Sequence, residues 1–449
     1  MADAPTPECP NCRKLTARVA ALEEELRRAR RQAAPFSKDR PKEHPKPPGR
    51  KPGHPPAFRP APPPGEVSEI IRVPLDRCPR CGGAVKRVLD NAPIYQSELP
   101  ESRPVIRRFD TQRGWCERCH KMVRSRHPEQ TSTATGAAGS GLGPNALALA
   151  ADLKHRLGLS FRKVVDLFQT HLGIQVSPGA LAQAGHRLAA RGEPIYQKLR
   201  HEAQASPAVH VDETGWRIGA SGAWLWAFAT PRLTLYRIEQ SRGHGVVEDV
   251  LGNAFAGILV SDGLPTYDAL CLERRQMCVA HLLKRCAHLE DANTRGAVRF
   301  PRQMGDLLRR ALTLHGRRGE LSPHGYAVSR GRLEHTLDRM LRYHLSNADN
   351  ERLAAHLFQH RPHLLTFLYE RAVEPTNNLA ERQLRPAVIA RKLSAGNRTV
   401  RGAQTHAVLA SLAATCRQRG ERFGALAASL LRQTDHGPPS SALSPPAHA

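Results

Sequence analysis

The sequence predicts a multidomain α+β protein in which a cysteine-bearing front end and a helical region precede a mixed α/β core with a helical insertion. Three observations predict it. Between 205 and 281, five short runs rich in Val, Ile, Trp, Tyr and Thr read as strands. Over 284–371 and again over 377–433 the pattern is helical, with Leu333, Leu337 and Leu341 one turn apart. Ahead of these, a proline-rich tract and paired CxxC motifs break the first 130 residues into separate pieces. At 449 residues the chain has room for two or three domains.

Lys and Arg number 67 against 41 Asp and Glu, a formal net charge of +26. A field of that sign attracts polyanions, nucleic acid before an anionic membrane surface. An Arg- and Ala-biased genome would give the same sign without functional meaning. No apolar run approaches the roughly 18 residues that a membrane span needs. The opening MADAPTPECPNC lacks the charged start and apolar segment of a secretory signal. Six of the ten cysteines fall in three CxxC pairs, which reads as metal ligation rather than disulfides. A cytoplasmic, nucleoid-associated protein with no membrane partner is expected.

Residues 1–34 hold the first pair, Cys9 and Cys12, and a leucine-patterned helix. Leu15, Val19, Leu22, Leu26 and Ala29 follow a heptad seam. It reads as an N-terminal coiled-coil helix for dimerisation, or equally as an amphipathic helix lying on the protein's own body. Two chains paired there could share one zinc between their CPNC thiolates. Residues 35–66 form a basic linker with 12 prolines between 35 and 64, too many for regular structure. Its cations, Arg50 and Lys51 among them, are candidates for phosphate contact, with a plain spacer as the alternative.

Residues 67–130 carry Cys78, Cys81, Cys116 and Cys119 as CPRC and CERC, 34 residues apart. Each pair offers two thiolates from one tight turn, half of a tetrahedral structural zinc site. Alternation at Val105, Arg107 and Phe109 suggests the strands of a zinc ribbon. Residues 140–203 read as a helix-turn-helix-like DNA-binding region. Ser160 caps SFRKVVDLFQTHLG, Gly173 ends it, and Ser177 caps SPGALAQAGHRLAA.

Residues 204–435 form the core. Three strands joined by short turns, a helix over GVVEDVLGNAF, then further strands, is the order of an RNase H-like sheet. A helical insertion spans about 284–372, and the tail 436–449 reads as disordered. Asp212 and Asp262 each sit where an apolar strand stops, where a sheet presents side chains to a ligand. On the first strand His210, Asp212 and Thr214 should face one way, Val211 and Glu213 the other. Glu381 follows Thr376, a plausible helix cap, and stands beside Arg382 and Arg385, with Arg391 and Lys392 beyond. Pro386 should kink or stop that helix. Spacing alone does not exclude Glu213, Asp268 or Glu374 as the acids of such a site. Cys278 and His281 could coordinate a metal but read rather as core packing, and Trp216, Trp224 and Trp226 as sheet core; Cys271, Cys286 and Cys416 read as buried free thiols.

HVDETGWR, WLWAFAT, VSDGLPTYD, CVAHLLKR, EPTNNLAERQLRPAVIARK and ATCRQRG resemble, in order, the motifs of the insertion-sequence sixty-six family of bacterial DDE transposases. CPNC, GRKPGHPP and the zinc-ribbon cysteines resemble its front half. The block around Asn377, Asn378, Glu381 and Arg382 is the most specific part. APFSKDRPKEHPKPPGR replaces the polar Asn/Ser-rich stretch that members often carry after the leucine helix. The resemblance places the catalytic acids on Asp212, Asp262 and Glu381. It implies two Mg²⁺ ions, with Mn²⁺ as a substitute, structural Zn²⁺, and cleavage and strand transfer at the ends of an element. The implied partners are terminal inverted repeats and target DNA, a second copy of the chain or a larger oligomer, and helper proteins of the same element. Arg382, Arg385, Arg391, Lys392, Arg50 and Lys51 are the expected DNA contacts. The competing reading is a catalytically inactive, transposase-derived zinc-ribbon DNA-binding protein.

Overall fold

The computed structural model describes residues 60–86, 88–89, 91–99, 103–131, 141–263, 265–270 and 274–432, with a few positions between 15 and 23. Cys9, Cys12, Leu26, Ala29, Arg50, Lys51, Cys271 and the tail 436–449 lie outside the described residues. The chain divides into two compact units, Met1–Leu99 and Pro100–Ala449.

In the first unit, Leu15, Val19 and Leu22 are helical and exposed. Further on, Cys78 opens a tight turn. Its N–H donates to Gly83 O at 2.8 Å, and the Gly82 N–H returns to Cys78 O at 2.8 Å. Gly82 holds φ at 73°, a left-handed value that a side chain would resist.

The second unit opens with a hairpin, β1 (Arg113–Cys116) and β2 (Lys121–Arg124), whose turn carries Cys119. The strands expected around Val105, Arg107 and Phe109 are not there. That stretch is extended but pairs with no neighbour among the described residues, and Val105 and Ile106 are exposed. Alternation marks a strand only where a partner edge supplies the ladder.

Three helices follow: α1 (Pro144–His155), α2 (Phe161–Leu172) and α3 (Pro178–Gln204). The caps read from the sequence hold. Ser160 Oγ accepts from Lys163 N, Ser177 Oγ accepts from Ala180 N, and Gly173 closes α2 at φ 62°. Yet α3 runs 27 residues, far past the expected SPGALAQAGHRLAA, and carries Pro194 inside it. Its buried stripe of Leu181, Leu188, Ile195 and Leu199 continues unbroken. That burial outweighs the one backbone hydrogen bond the proline removes.

The sheet contains β3 (Ala208–Ile218), β4 (Ser221–Ala229), β5 (Thr234–Glu239), β6 (Ile258–Ser261) and β7 (Arg275–Met277), in the order β5-β4-β3-β6-β7. The first three are antiparallel neighbours; β6 and β7 run parallel to β3. A short helix, α4 (Gly245–Leu251), makes the crossover to β6. Strand β7 is shorter than RRQMCVAH suggested, because Val279 already begins α5 (Val279–Ala292). Then come α6 (Arg299–Gly316), α7 (Pro323–Leu341) and α8 (Ala348–Gln359), with Leu333, Leu337 and Leu341 buried together. The chain returns to the sheet through α9 (Asn378–Ser394), α10 (Val400–Arg419) and α11 (Phe423–Arg432).

Three apolar clusters hold these layers. Val209, Val211, Trp226 and Phe228 pack with α1, α3 and α11 on one face of the sheet. Leu225, Ala227 and Tyr236 pack with Leu384 and Ala387 of α9 and with α10 on the other. The insertion has its own core, joined to the sheet through Ile258, Val260 and Met277. Among the described residues no helix is long and apolar enough to cross a membrane.

Candidate active site

Parallel pairing sets the two aspartates side by side. Strand β3 is in register with β6 as Ala208 with Ile258, Val209 with Leu259 and His210 with Val260. Asp212 and Asp262 each lie two residues beyond that last pair. Asp262 stands one residue past the end of β6, close enough for its charge to bear on Asp212. The expected alternation along β3 is present. Thr214 Oγ1 meets Arg391 of α9 on one side, and Val211 joins the opposite core.

Glu381 comes from the first turn of α9, which packs across the face that carries Asp212. Thr376 does not cap this helix. Asn377 stands at the cap and makes no capping hydrogen bond; its Nδ2 donates instead to Val211 O at 2.8 Å. Pro386 neither stops nor ends the helix. Ala380, Leu384, Ala387 and Ala390 form a continuous buried stripe, and that packing carries the helix through.

The electrostatics tie the three acids together. Burial, above all, raises the Asp212 carboxyl from its ordinary 3.8 to about 8, and the charges of Glu213, Asp262 and Glu381 add to the rise. A hydrogen bond from the Glu213 N–H, at 2.9 Å from Asp212 Oδ1, opposes it. Asp212 therefore feels the charges of the other two acids in a half-buried space, an arrangement that favours a cation. Their oxygens do not all come within 4.8 Å of one another. The described His, Cys, Asp and Glu groups that do so are Cys278, His281 and Glu381.

The other acids are engaged elsewhere. Glu213, its side chain 1% exposed, is paired with Arg242 at 2.9 Å and accepts from Tyr267 OH at 2.9 Å. Asp268 is paired with Arg275 at 3.2 Å and His360 at 3.5 Å. Glu374 is exposed. Of the expected DNA contacts, Arg382, Arg385 and Lys392 are exposed on α9. Arg391 is half-buried and bonded to Thr214 Oγ1 and Gly215 O, so it serves the fold of β3.

His281 is a correction. It is not core: its side chain is 47% exposed and lies 3.9 Å from Glu381, its ion-pair partner. The hydrogen bond with Cys278 raises its imidazole to about 9, against the pull of burial. Cys278 is buried as expected. Burial pushes its thiol up, but hydrogen bonds from His281 and the Asn377 N–H outweigh this and leave it lowered. The available signal was spacing: Cys278 and His281 are three residues apart, which on a helix puts them on one face. Trp216 and Trp226 are buried as expected, whereas Trp224 is half-buried beneath Arg242 at 4.3 Å. Cys286 and Cys416 are buried free thiols.

Each CxxC pair forms its own turn. Backbone hydrogen bonds from Arg80 and Cys81 lower the Cys78 thiol, and those from Cys119 and Arg118 lower that of Cys116. Such turns favour thiolates.

Residues 139–405, more than half of the chain, match the Transposase IS66 family. The chain belongs to that family. All three acids of this IS66-family chain fall inside the matched segment, as does His281; the paired cysteines precede it. It is also similar to the uncharacterized protein y4qI of Sinorhizobium fredii, with 26% identity over 278 residues. That alignment covers 55% of this chain and 51% of the relative, so the chain spans about half the length of the curated relative it matches.

Proposed function

We propose that this chain is a DNA transposase that cuts and joins the ends of its own element, with Asp212, Asp262 and Glu381 as its acids. The observation that carries the reading is the raised Asp212 carboxyl, which senses both other acids across two neighbouring strands and one covering helix. Hard carboxylate oxygens that repel one another are the donor set that Mg²⁺ or Mn²⁺ prefers. A pair of such ions, when bound, would supply Lewis acidity for in-line displacement at a phosphodiester.

The chain's own residues do the rest. Asn377 fixes the start of α9 to the backbone next to Asp212, which sets where Glu381 points. Arg242 and Tyr267 hold Glu213 on the far face, so its charge polarises Asp212 without entering the site. Arg382, Arg385 and Lys392 offer cations to a phosphate backbone passing over α9. Arg50 and Lys51 extend that grip. The two CxxC turns are half-sites for a structural zinc, and α2 with α3 supplies the helix pair for reading element ends. Two ends must be held together, so a dimer is the smallest working assembly, joined through the leucine-patterned helix.

The test is cleavage of duplex DNA carrying the element's terminal inverted repeats, with Mg²⁺. Asp212→Asn, Asp262→Asn and Glu381→Gln should each lower the rate at least roughly 10³-fold while leaving DNA binding within a few fold. Full cleavage by a variant removes that residue from the site. Binding without cleavage by the unaltered chain favours the inactive DNA-binding reading.

A further inference from the structure

Cys278, His281 and Glu381 bring one sulfur, one imidazole nitrogen and one carboxylate oxygen within 4.8 Å of one another. The separation of His281 Nδ1 and Glu381 Oε1 is 3.9 Å. Tetrahedral zinc, with bonds of about 2.0 to 2.3 Å, needs donors roughly 3.4 to 3.6 Å apart. Small side-chain rotations close that gap.

The frame around the three donors is rigid. Cys278 sits at the start of α5, where its N–H donates to Ser261 O at 2.9 Å and ties it to the end of β6. The next residue, Val279, donates to Pro375 O at 2.9 Å, which locks α5 to the segment leading into α9. Cys278 Sγ accepts the Asn377 N–H at 3.1 Å. A backbone N–H on the sulfur is the kind of outer support that orients a thiolate ligand. His281 is one turn along α5, and its 47% exposure leaves a side open to solvent.

We propose that Cys278, His281 and Glu381 form a zinc site with one open position, and that zinc bound there withdraws Glu381 from the acid cluster. The first half stands on the donor geometry alone; the second rests on the reading of Glu381 as the third acid. The site discriminates by chemistry. Thiolate with imidazole suits zinc, whereas magnesium demands near-octahedral oxygen and holds its waters. On binding, Cys278 and His281 give up the protons they hold to solvent and sulfur–zinc and nitrogen–zinc bonds form beside the Glu381 carboxylate, with no change of oxidation state.

The experiment uses the full chain, reduced and stripped of metal, titrated with zinc against a chromophoric indicator. The unaltered protein should bind one equivalent more than His281→Ala or Cys278→Ser; zinc held by the CxxC turns appears equally in all three. His281 is half exposed, so its replacement spares the core, and a melting curve checks the fold. Equal stoichiometry in the unaltered protein and a folded His281→Ala overturns the site, even where Cys278→Ser fails to fold.

A second arm adds zinc to Mg²⁺-dependent DNA cleavage. Zinc should suppress the unaltered protein at least 10-fold at concentrations that leave His281→Ala at its own zinc-free rate. An extra equivalent with no effect on cleavage overturns the withdrawal of Glu381. An extra equivalent in a protein that never cleaves DNA overturns the transposase reading and leaves the zinc site standing.

Discussion

The side-chain amide of Asn377 donates to the carbonyl oxygen of Val211, the residue immediately before Asp212, across 166 positions of chain. Asn377 is fully buried, and its own N–H meets Cys278 Sγ. One residue thus joins the central strand through its side chain and the start of α5 through its backbone, at the start of the helix that brings Glu381.

Asn377→Ala should therefore do more than lower stability. Loss of a buried hydrogen bond that leaves Val211 O unsatisfied costs about 1–3 kcal/mol, which urea unfolding will report. Cleavage should fall further than that loss explains, roughly 10²-fold, because Glu381 loses its fixed position. A variant that is destabilised yet cleaves at the normal rate refutes this coupling.

Stability should depend on pH through Asp212. Its carboxyl is raised to about 8 in the folded protein, mainly by burial, so the folded state holds that proton more tightly than the unfolded chain does. The stabilisation is complete below the ordinary value of 3.8 and is lost as pH rises through about 8. The loss is on the order of several kcal/mol. Chemical unfolding without divalent ions should show it, and Asp212→Asn should flatten the slope. Added Mg²⁺ at pH 8 should raise the melting temperature of the unaltered chain and do little for the variant. An identical slope in both proteins would count against the raised carboxyl.

Gly396 tests the turn behind α9. Its φ is 103°, and an added Cβ would sit 2.5 Å from Arg217 O. The next residue, Asn397, donates its N–H to Arg217 O at 2.9 Å and accepts from Trp216 Nε1 at 2.9 Å. Gly396→Ala should cost roughly 2 kcal/mol or more and lower the melting temperature by several degrees. An unchanged melting curve would show that this turn yields easily.

Much of the sheet was legible because the local signals agree with the tertiary environment. Strands β3 to β6 are rich in residues that fit a pleated surface, and Ser160, Ser177 and Gly173 mark helix ends through contacts within five residues. What was not legible depends on partners far away in the chain. The sequence around Pro386 says kink or stop; only the buried stripe from Ala380 to Ala390 says that the helix runs on. Asn377 resembles an ordinary capping residue until Val211 is known to lie beneath it. Arg391 resembles Arg382 and Arg385, yet β3 claims it. His281 lies in an apolar context by sequence and beside Glu381 in space.

The position of α9 has a consequence for synthesis. Two of the three acids emerge from the ribosome more than a hundred residues before the third, and the helix that covers them follows the whole insertion. A message cut between residues 293 and 377 would yield the five strands and both aspartates without the helix that brings Glu381. On the proposed reading, any product that stops short of α9 lacks the third acid.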